Sequence, residues 1–149
     1  MSSAIYLDSS ALVKLVVAEA ESEALRRFLR KHPIRVSSAL AKVEVVRALR
    51  FQGKLATNRA TKILARIRLL AIDSALLDAA AAIDGRVLRS LDAIHLASAT
   101  ALGNDLVSVI TYDLRIRDAA RLLGLSVRAP GTASDVPRRR VKRVRELAE

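Results

Sequence analysis

The sequence predicts an α/β protein, a three-layer α/β/α sandwich around a mostly parallel central sheet. Three observations carry this. Short apolar runs alternate with longer segments of helical periodicity from residue 4 to residue 129, the order that builds a parallel sheet through helical crossovers. The run LVSVIT at 106–111 is β-branched and uncharged, as a central strand covered on both faces requires. The 149 residues, 52% of them hydrophobic, fit one compact domain with ample core.

The elements follow in order. AIYL (4–7) reads as a short buried strand and 9–18 as a helix. ESEALRRFLRKH (21–32) is a strongly charged helix, broken by Pro33. IRVS (34–37) reads as a second strand, and Ser37 or Ser38 caps a helix that runs to about Gln52, before Gly53. TNRATKILARIRLL (57–70) has a Thr cap and apolar residues at helical spacing, and a short extended piece to Asp73 follows. SALLDAAAAI, from Ser74, is helical and stops before Gly85. SLDAIHLASATAL (90–102) is apolar almost all round, which places it in the middle of the domain. After the strand at 106–111, LRIRDAARLLG (114–124) is a helix and LSVRA (125–129) a last strand. Pro130-Gly131 closes a domain of residues 1–130, and residues 131–149 form a basic tail with RRRVKRVR at 138–145. No internal repeat is present.

Composition narrows the function. There is no cysteine, so disulfide staples, zinc–thiolate sites and a Cys nucleophile are excluded. A cytoplasmic location is compatible with that. Aromatic residues make up only 3%, too few for a base-stacking platform. No apolar run is long enough to span a bilayer, and no signal peptide is evident. The formal charge of +11 makes a polyanion or an acidic protein the expected partner.

Against that basic background the acids stand out. Ligands of open parallel sheets bind beyond the carboxyl ends of the strands. Asp8 follows the first strand and Asp113 follows LVSVITY. Asp92 lies in the first turn of the apolar helix, and Glu44 lies inside the helix after the second strand. Each has a plain alternative: Asp8 and Asp113 as helix N-caps, Asp92 as complement to a helix dipole, Glu44 as partner of Arg47. Yet on a helical wheel Glu44 shares its face with Leu40, Ala48 and Phe51, and Asp92 with Leu96 and Ala99. Carboxylates are seldom buried unless paired or bound to metal. Four of them converging would raise one another's pKa values, and an all-oxygen set selects Mg²⁺ or Mn²⁺.

The segments AIYLDSSALVKL, VSSALAKVEVVRAL, LRSLDAIHLASA and VITYDLRIRDAARLLGLSV together resemble PIN-domain ribonucleases, and among them the toxins of VapBC toxin–antitoxin systems. The resemblance spans about residues 3–130 and is most specific in the third and fourth segments. It implies the PIN fold and an endoribonuclease dependent on one or two Mg²⁺ or Mn²⁺ ions, which silences translation by cutting RNA. It places the family's acids on Asp8, Glu44, Asp92 and Asp113, with a hydroxyl that orients them at Thr111. Asp118, about one helical turn further on, stands where some relatives carry an accessory acid. It also implies a cognate antitoxin that blocks the site, and a homodimer. The basic tail is not part of the matched pattern.

The expected chemistry is attack on phosphorus by a metal-activated water, with Asp8, Asp92 and Asp113 as metal ligands and Glu44 orienting the water or completing a second metal site. Arg115 and Arg117 are candidates for contact with the RNA backbone, the alternative being a solvated helix face. Only two histidines exist, His32 and His95, so an acid–base histidine pair is not the expectation. His95, on the apolar helix, reads as a packing or hydrogen-bonding residue. A phosphoryl-accepting receiver domain would want a second acid beside Asp8 and a late-strand Lys, and neither is present. A dehalogenase-like phosphatase would want Asp-x-Asp, and here Ser10 holds the second position. A non-catalytic RNA-binding or antitoxin-binding protein on the same fold remains the third reading.

Overall fold

A computed structural model describes residues 3–85, 88–135 and 137. It contains strands β1 (Ala4–Leu7), β2 (Ile34–Ser38), β3 (Arg68–Leu70), β4 (Leu106–Ile110) and β5 (Val127–Arg128). The helices are α1 (Ser9–Val16), α2 (Ser22–Arg30), α3 (Ala41–Leu49), α4 (Lys54–Leu64), α5 (Ser74–Ala81), α6 (Ser90–Ala101) and α7 (Leu114–Leu122), with a short 3-10 turn at Gly103–Asp105. The strands form one sheet in the order β3-β2-β1-β4-β5, and every pairing is parallel.

The three layers follow from the strand period of two. On β1, Ile5 and Leu7 face a core shared with Leu12, Leu25, Val45, Leu49 and Leu64, so α1–α4 cover that side. Ala4 and Tyr6 face the other way, toward Ala99 of α6. Leu96 of α6 packs with Ile116 and Ala120 of α7, and Ala93 and Ala97 pack with Ala80 of α5. Helix α6 is therefore buried through its middle, between the sheet, α5 and α7, as expected, and its ends reach solvent, Leu91 being 47% exposed.

Two expectations need correction. The segment 57–70 is not one helix. Helix α4 begins earlier, at Lys54, and ends at Leu64, and 68–70 is strand β3, paired with Val36, Ser37 and Ser38 of β2. The extended piece expected after residue 70 is not a strand; the edge strand lies just before it, and Asp73 caps α5 by accepting from the Leu76 amide. The face of α3 that carries Glu44 is not the core face. Ala41, Val45 and Leu49 are buried, whereas Phe51, just past the helix, is 89% exposed. The tail at 138–145 lies outside the described residues.

Sheet order positions the site. Chain direction away from β1 reverses between its two neighbours, β2 on one side and β4 on the other, so the crevice beyond the carboxyl ends of β1 and β4 is the switch point where such sheets bind ligands. Leu7 is in register with Ile110, which sets Asp8 level with Thr111.

Candidate active site

Asp8 enters the site because β1 ends one residue before it and α1 starts one residue after. Its extended backbone makes it the N-cap of α1, and Oδ1 accepts from the Ala11 amide at 3.0 Å. The same oxygen accepts from Ser10 Oγ at 2.6 Å, and Oδ2 accepts from the Thr111 hydroxyl. Only 1% of Asp8 is exposed. Burial pushes its carboxyl above the ordinary aspartate range, although the hydrogen bonds from Ser10 and Thr111 and the nearby His95 work against that. Among the described residues no Lys, Arg or His forms an ion pair with it. A cap needs no such burial. A buried carboxylate without a paired cation is the feature that capping alone does not explain.

Asp113 is tied to the same centre through β4. The Asp113 amide donates to Thr111 Oγ1 at 3.1 Å, so one threonine hydroxyl links the two aspartates. Asp113 is also the N-cap of α7, accepting from the Arg115 amide at 2.8 Å. Ser10 closes the other side, since its oxygen accepts from the Tyr112 amide at 3.0 Å. A small cavity of about 30 Å³ lies here, lined by Thr111, Asp113, Arg117, Thr132 and Ser134. A larger apolar cleft of about 620 Å³ between α5 and α6 is bordered by none of the four acids.

Glu44 joins from α3 through Ser9, whose hydroxyl donates to Oε1 at 2.7 Å. The same Oε1 lies 2.6 Å from His95 Nε2. Its partner is therefore His95, not Arg47. Burial alone would raise the Glu44 carboxyl, but the bonds from His95 and Ser9 hold it below the ordinary glutamate range.

Asp92 stands at the open end of the α6 face that buries Leu96 and Ala99. Its Oδ2 accepts from the Arg89 amide at 3.2 Å, and it touches none of the other three acids in any hydrogen bond or ion pair. Asp118 turns away to pair with Arg117 at 3.0 Å. Arg115 Nε is 3.8 Å from Asp113, so both arginines lie beside the acids. Among the described residues no three Asp, Glu or His side chains cluster as a ready metal cage. Asp8 and Asp113 nonetheless suit a hard cation: both are oxygen donors at one strand-end crevice, and the buried one has no ion-pair partner among the described residues.

The carboxylate reading missed Ser9 and Ser10 as bridges and Tyr6 as the partner of His95. The pair Ser9-Ser10 directly after the acid was the available signal. Nothing local could link Tyr6 to His95, which are 89 positions apart.

Known proteins resemble this chain in both sequence and fold. Residues 5–122 match the PIN domain family. The chain is 55% identical over 127 residues to "Ribonuclease VapC46" of Mycobacterium tuberculosis, covering 85% of this chain and 98% of that protein. It is 44% identical over 133 residues to "Ribonuclease VapC35" of the same organism, covering 87% and 98%. Among solved structures, that of Mycobacterium tuberculosis VapC20, described as a sarcin-ricin loop cleaving toxin, superposes with a TM-score of 0.66 over 77% of this chain and 94% of that one. Its 21% identity makes this a likeness of fold. With a family match across most of its length and relatives this similar, the chain belongs to the PIN-domain family, alongside the VapC ribonucleases.

Proposed function

We propose that this protein is a divalent-metal-dependent endoribonuclease, the toxin of a type II toxin–antitoxin pair, that cuts RNA and thereby inhibits translation. The observation that carries the reading is Asp8: buried, without an ion-pair partner among the described residues, and bonded through Thr111 to Asp113 at the β1/β4 switch point. A bound Mg²⁺ or Mn²⁺ would supply a water of lowered pKa and neutralise charge on the scissile phosphate. Asp8, Asp113 and Asp92 are the residues to hold it, with Asp92 giving up its bond to the Arg89 amide. Thr111 fixes the Asp8 carboxylate, and Glu44 orients the attacking water. Arg115 and Arg117 steady the RNA backbone beside the acids, and Asp118 neutralises Arg117 when RNA is absent.

Two partners follow. An antitoxin would cover the acidic crevice and neutralise its charge. A second copy of the chain would form a homodimer, for which Val43, Phe51 and Leu55, respectively 57%, 89% and 75% exposed, offer apolar surface. Among the described residues no helix is long and apolar enough to cross a membrane, and we place the protein in the cytoplasm with its RNA substrate.

The test is incubation of inhibitor-free protein with pooled RNA and Mg²⁺ or Mn²⁺, followed by sequencing of the new ends. Cleavage leaving 5′-phosphates, absent with EDTA and in Asp92→Asn, supports the reading. RNA that stays intact with both metals returns the protein to a binding role.

A further inference from the structure

A second hydrogen-bonded chain runs through the site, and none of its members but Glu44 has a role in the reading above. Tyr6 Oη lies 2.7 Å from His95 Nδ1. His95 Nε2 lies 2.6 Å from Glu44 Oε1 and 3.3 Å from Ser9 Oγ. Ser9 Oγ donates to the same Oε1 at 2.7 Å. The four residues come from β1, α1, α3 and α6.

Counting protons fixes the arrangement. A serine hydroxyl has one hydrogen, and Ser9 gives it to Glu44. Facing a carboxylate oxygen and a hydroxyl oxygen whose hydrogen is already used, Nε2 must itself carry a hydrogen, in either charge state of the ring. The imidazole is 2% exposed and Tyr6 is fully buried, and the Tyr6 ring meets the imidazole edge-on, so the ring has no room to turn. Both donors fall on Oε1. That leaves Oε2 as the oxygen available at the site. A free glutamate has three rotatable torsions, and this one is clamped at its tip while its side chain is still 25% exposed. A histidine that merely filled core space would need no chain of bonds ending on a solvent-facing acid.

We propose that His95 is a positioning residue: it, with Ser9, locks Glu44 so that Oε2 is presented in one orientation to the attacking water, and Tyr6 holds His95 in place. The proposal rests on the nuclease reading and adds a role that reading leaves unassigned. Such supports of a catalytic acid are worth about 10–100-fold in activity.

The experiment combines ring-nitrogen NMR with single-turnover RNA cleavage. In the metal-free wild-type protein, His95 should show a proton on Nε2, and a bare Nε2 would overturn the proposal without any variant having to fold. In cleavage, His95→Asn keeps a polar group only on the Tyr6 side and should lose about 10–100-fold in rate with little change in KM. His95→Gln, whose amide nitrogen takes the place of Nε2, should recover much of that loss. The double variant His95→Asn/Glu44→Gln should be no slower than Glu44→Gln alone, because the two act as a unit. Equal losses in His95→Asn and His95→Gln, or additive losses in the double variant, would overturn the proposal. Asp8→Asn run alongside separates the two claims. If it is inactive while Glu44→Gln is fully active, the positioning role fails and the nuclease stands. If Asp8→Asn cuts RNA at the wild-type rate, both fail.

Discussion

Replacing Asp8 by Asn should make the metal-free protein more stable while abolishing its activity. Asp8 is 1% exposed, and its carboxylate has three hydrogen-bond donors but no ion pair among the described residues. Its folded-state pKa is raised, chiefly by burial, so the unfolded chain loses its proton before the folded one does. The contribution of this group to stability is therefore full below its ordinary value of 3.8 and is lost as pH rises through the raised folded value. Every tenfold difference in proton affinity between the folded and unfolded chain corresponds to about 1.4 kcal/mol. Asn keeps the size, the N-cap geometry and an acceptor for the Ala11 amide, and it carries no charge to desolvate. The result is a stabilisation at neutral pH, read as a higher Tm for the variant than for the wild type. Thermal unfolding in EDTA across pH 3–8 measures it. The gap between variant and wild type should be absent at the acid end and open as pH rises. Millimolar Mn²⁺ should then raise the Tm of the wild type and leave that of Asp8→Asn unchanged. A lower Tm for Asp8→Asn in EDTA, or equal gains from Mn²⁺, would refute the reasoning.

Further expectations concern the neighbourhood of the site. Thr111→Val removes the one hydroxyl that links Asp8 to Asp113, and Mn²⁺ affinity measured by calorimetry should fall about 10–100-fold; Thr111→Ser should keep most of it. Arg128 grips Asp135 with two bonds of 2.8 and 3.0 Å, and this holds the Asp135 carboxyl below the ordinary aspartate range. Its stabilisation is present above the unfolded value and is lost as pH falls through the folded one, so Arg128→Ala should lower stability by about 1 kcal/mol at pH 7 and by less in acid denaturation. Gly131 has φ +91°, and a Cβ there would stand 3.0 Å from Ala24 Cβ and 3.2 Å from Glu21 Cα. Gly131→Ala should thus destabilise by about 1–2 kcal/mol or more in chemical unfolding. Residues 129, 132 and 134 line the cavity that holds Thr111 and Asp113, so the chain passes the site on its way to the tail, where six of the eight residues 138–145 are basic. Removing residues 138–149 should weaken RNA binding and flatten its salt dependence by about 0.7 in slope for each phosphate the tail had neutralised; an unchanged slope would exclude phosphate binding by the tail.

The strands β1 and β4 were legible because their apolar, uncharged runs leave no solvent face, which only a doubly covered parallel strand satisfies. Asp8 and Asp113 were legible for the related reason that they are the first acids after those runs. Strand β3 was not. Ile63, Leu64, Ile67 and Leu70 continue a helical spacing, and it is pairing with β2, more than thirty residues away in sequence, that pulls 68–70 into the sheet. The wheel of α3 misleads in another way. That helix carries two apolar stripes, and spacing alone does not say which one faces the sheet. The buried stripe is Ala41, Val45 and Leu49, about 100° of turn from Glu44, and Glu44 sits at its margin. His95 reads from sequence as a hydrogen-bonding residue, and it is one, but its partners Tyr6, Ser9 and Glu44 all come from other elements. Asp92 was singled out by its place on the Leu96–Ala99 face; the structure gives it a bond to the Arg89 amide, which depends on a local turn that the pattern does not specify.

Whether Asp8, Asp92 and Asp113 share a hard cation is tested most directly by an anomalous difference map from crystals of this protein soaked in Mn²⁺. A peak is expected in the crevice beyond β1 and β4, within coordination distance of the Asp8 and Asp113 carboxylates, with the Asp92 side chain turned away from the Arg89 amide to join them. Manganese found only on surface acids, with Asp8 still bonded solely to Ser10, Ala11 and Thr111, would contradict it.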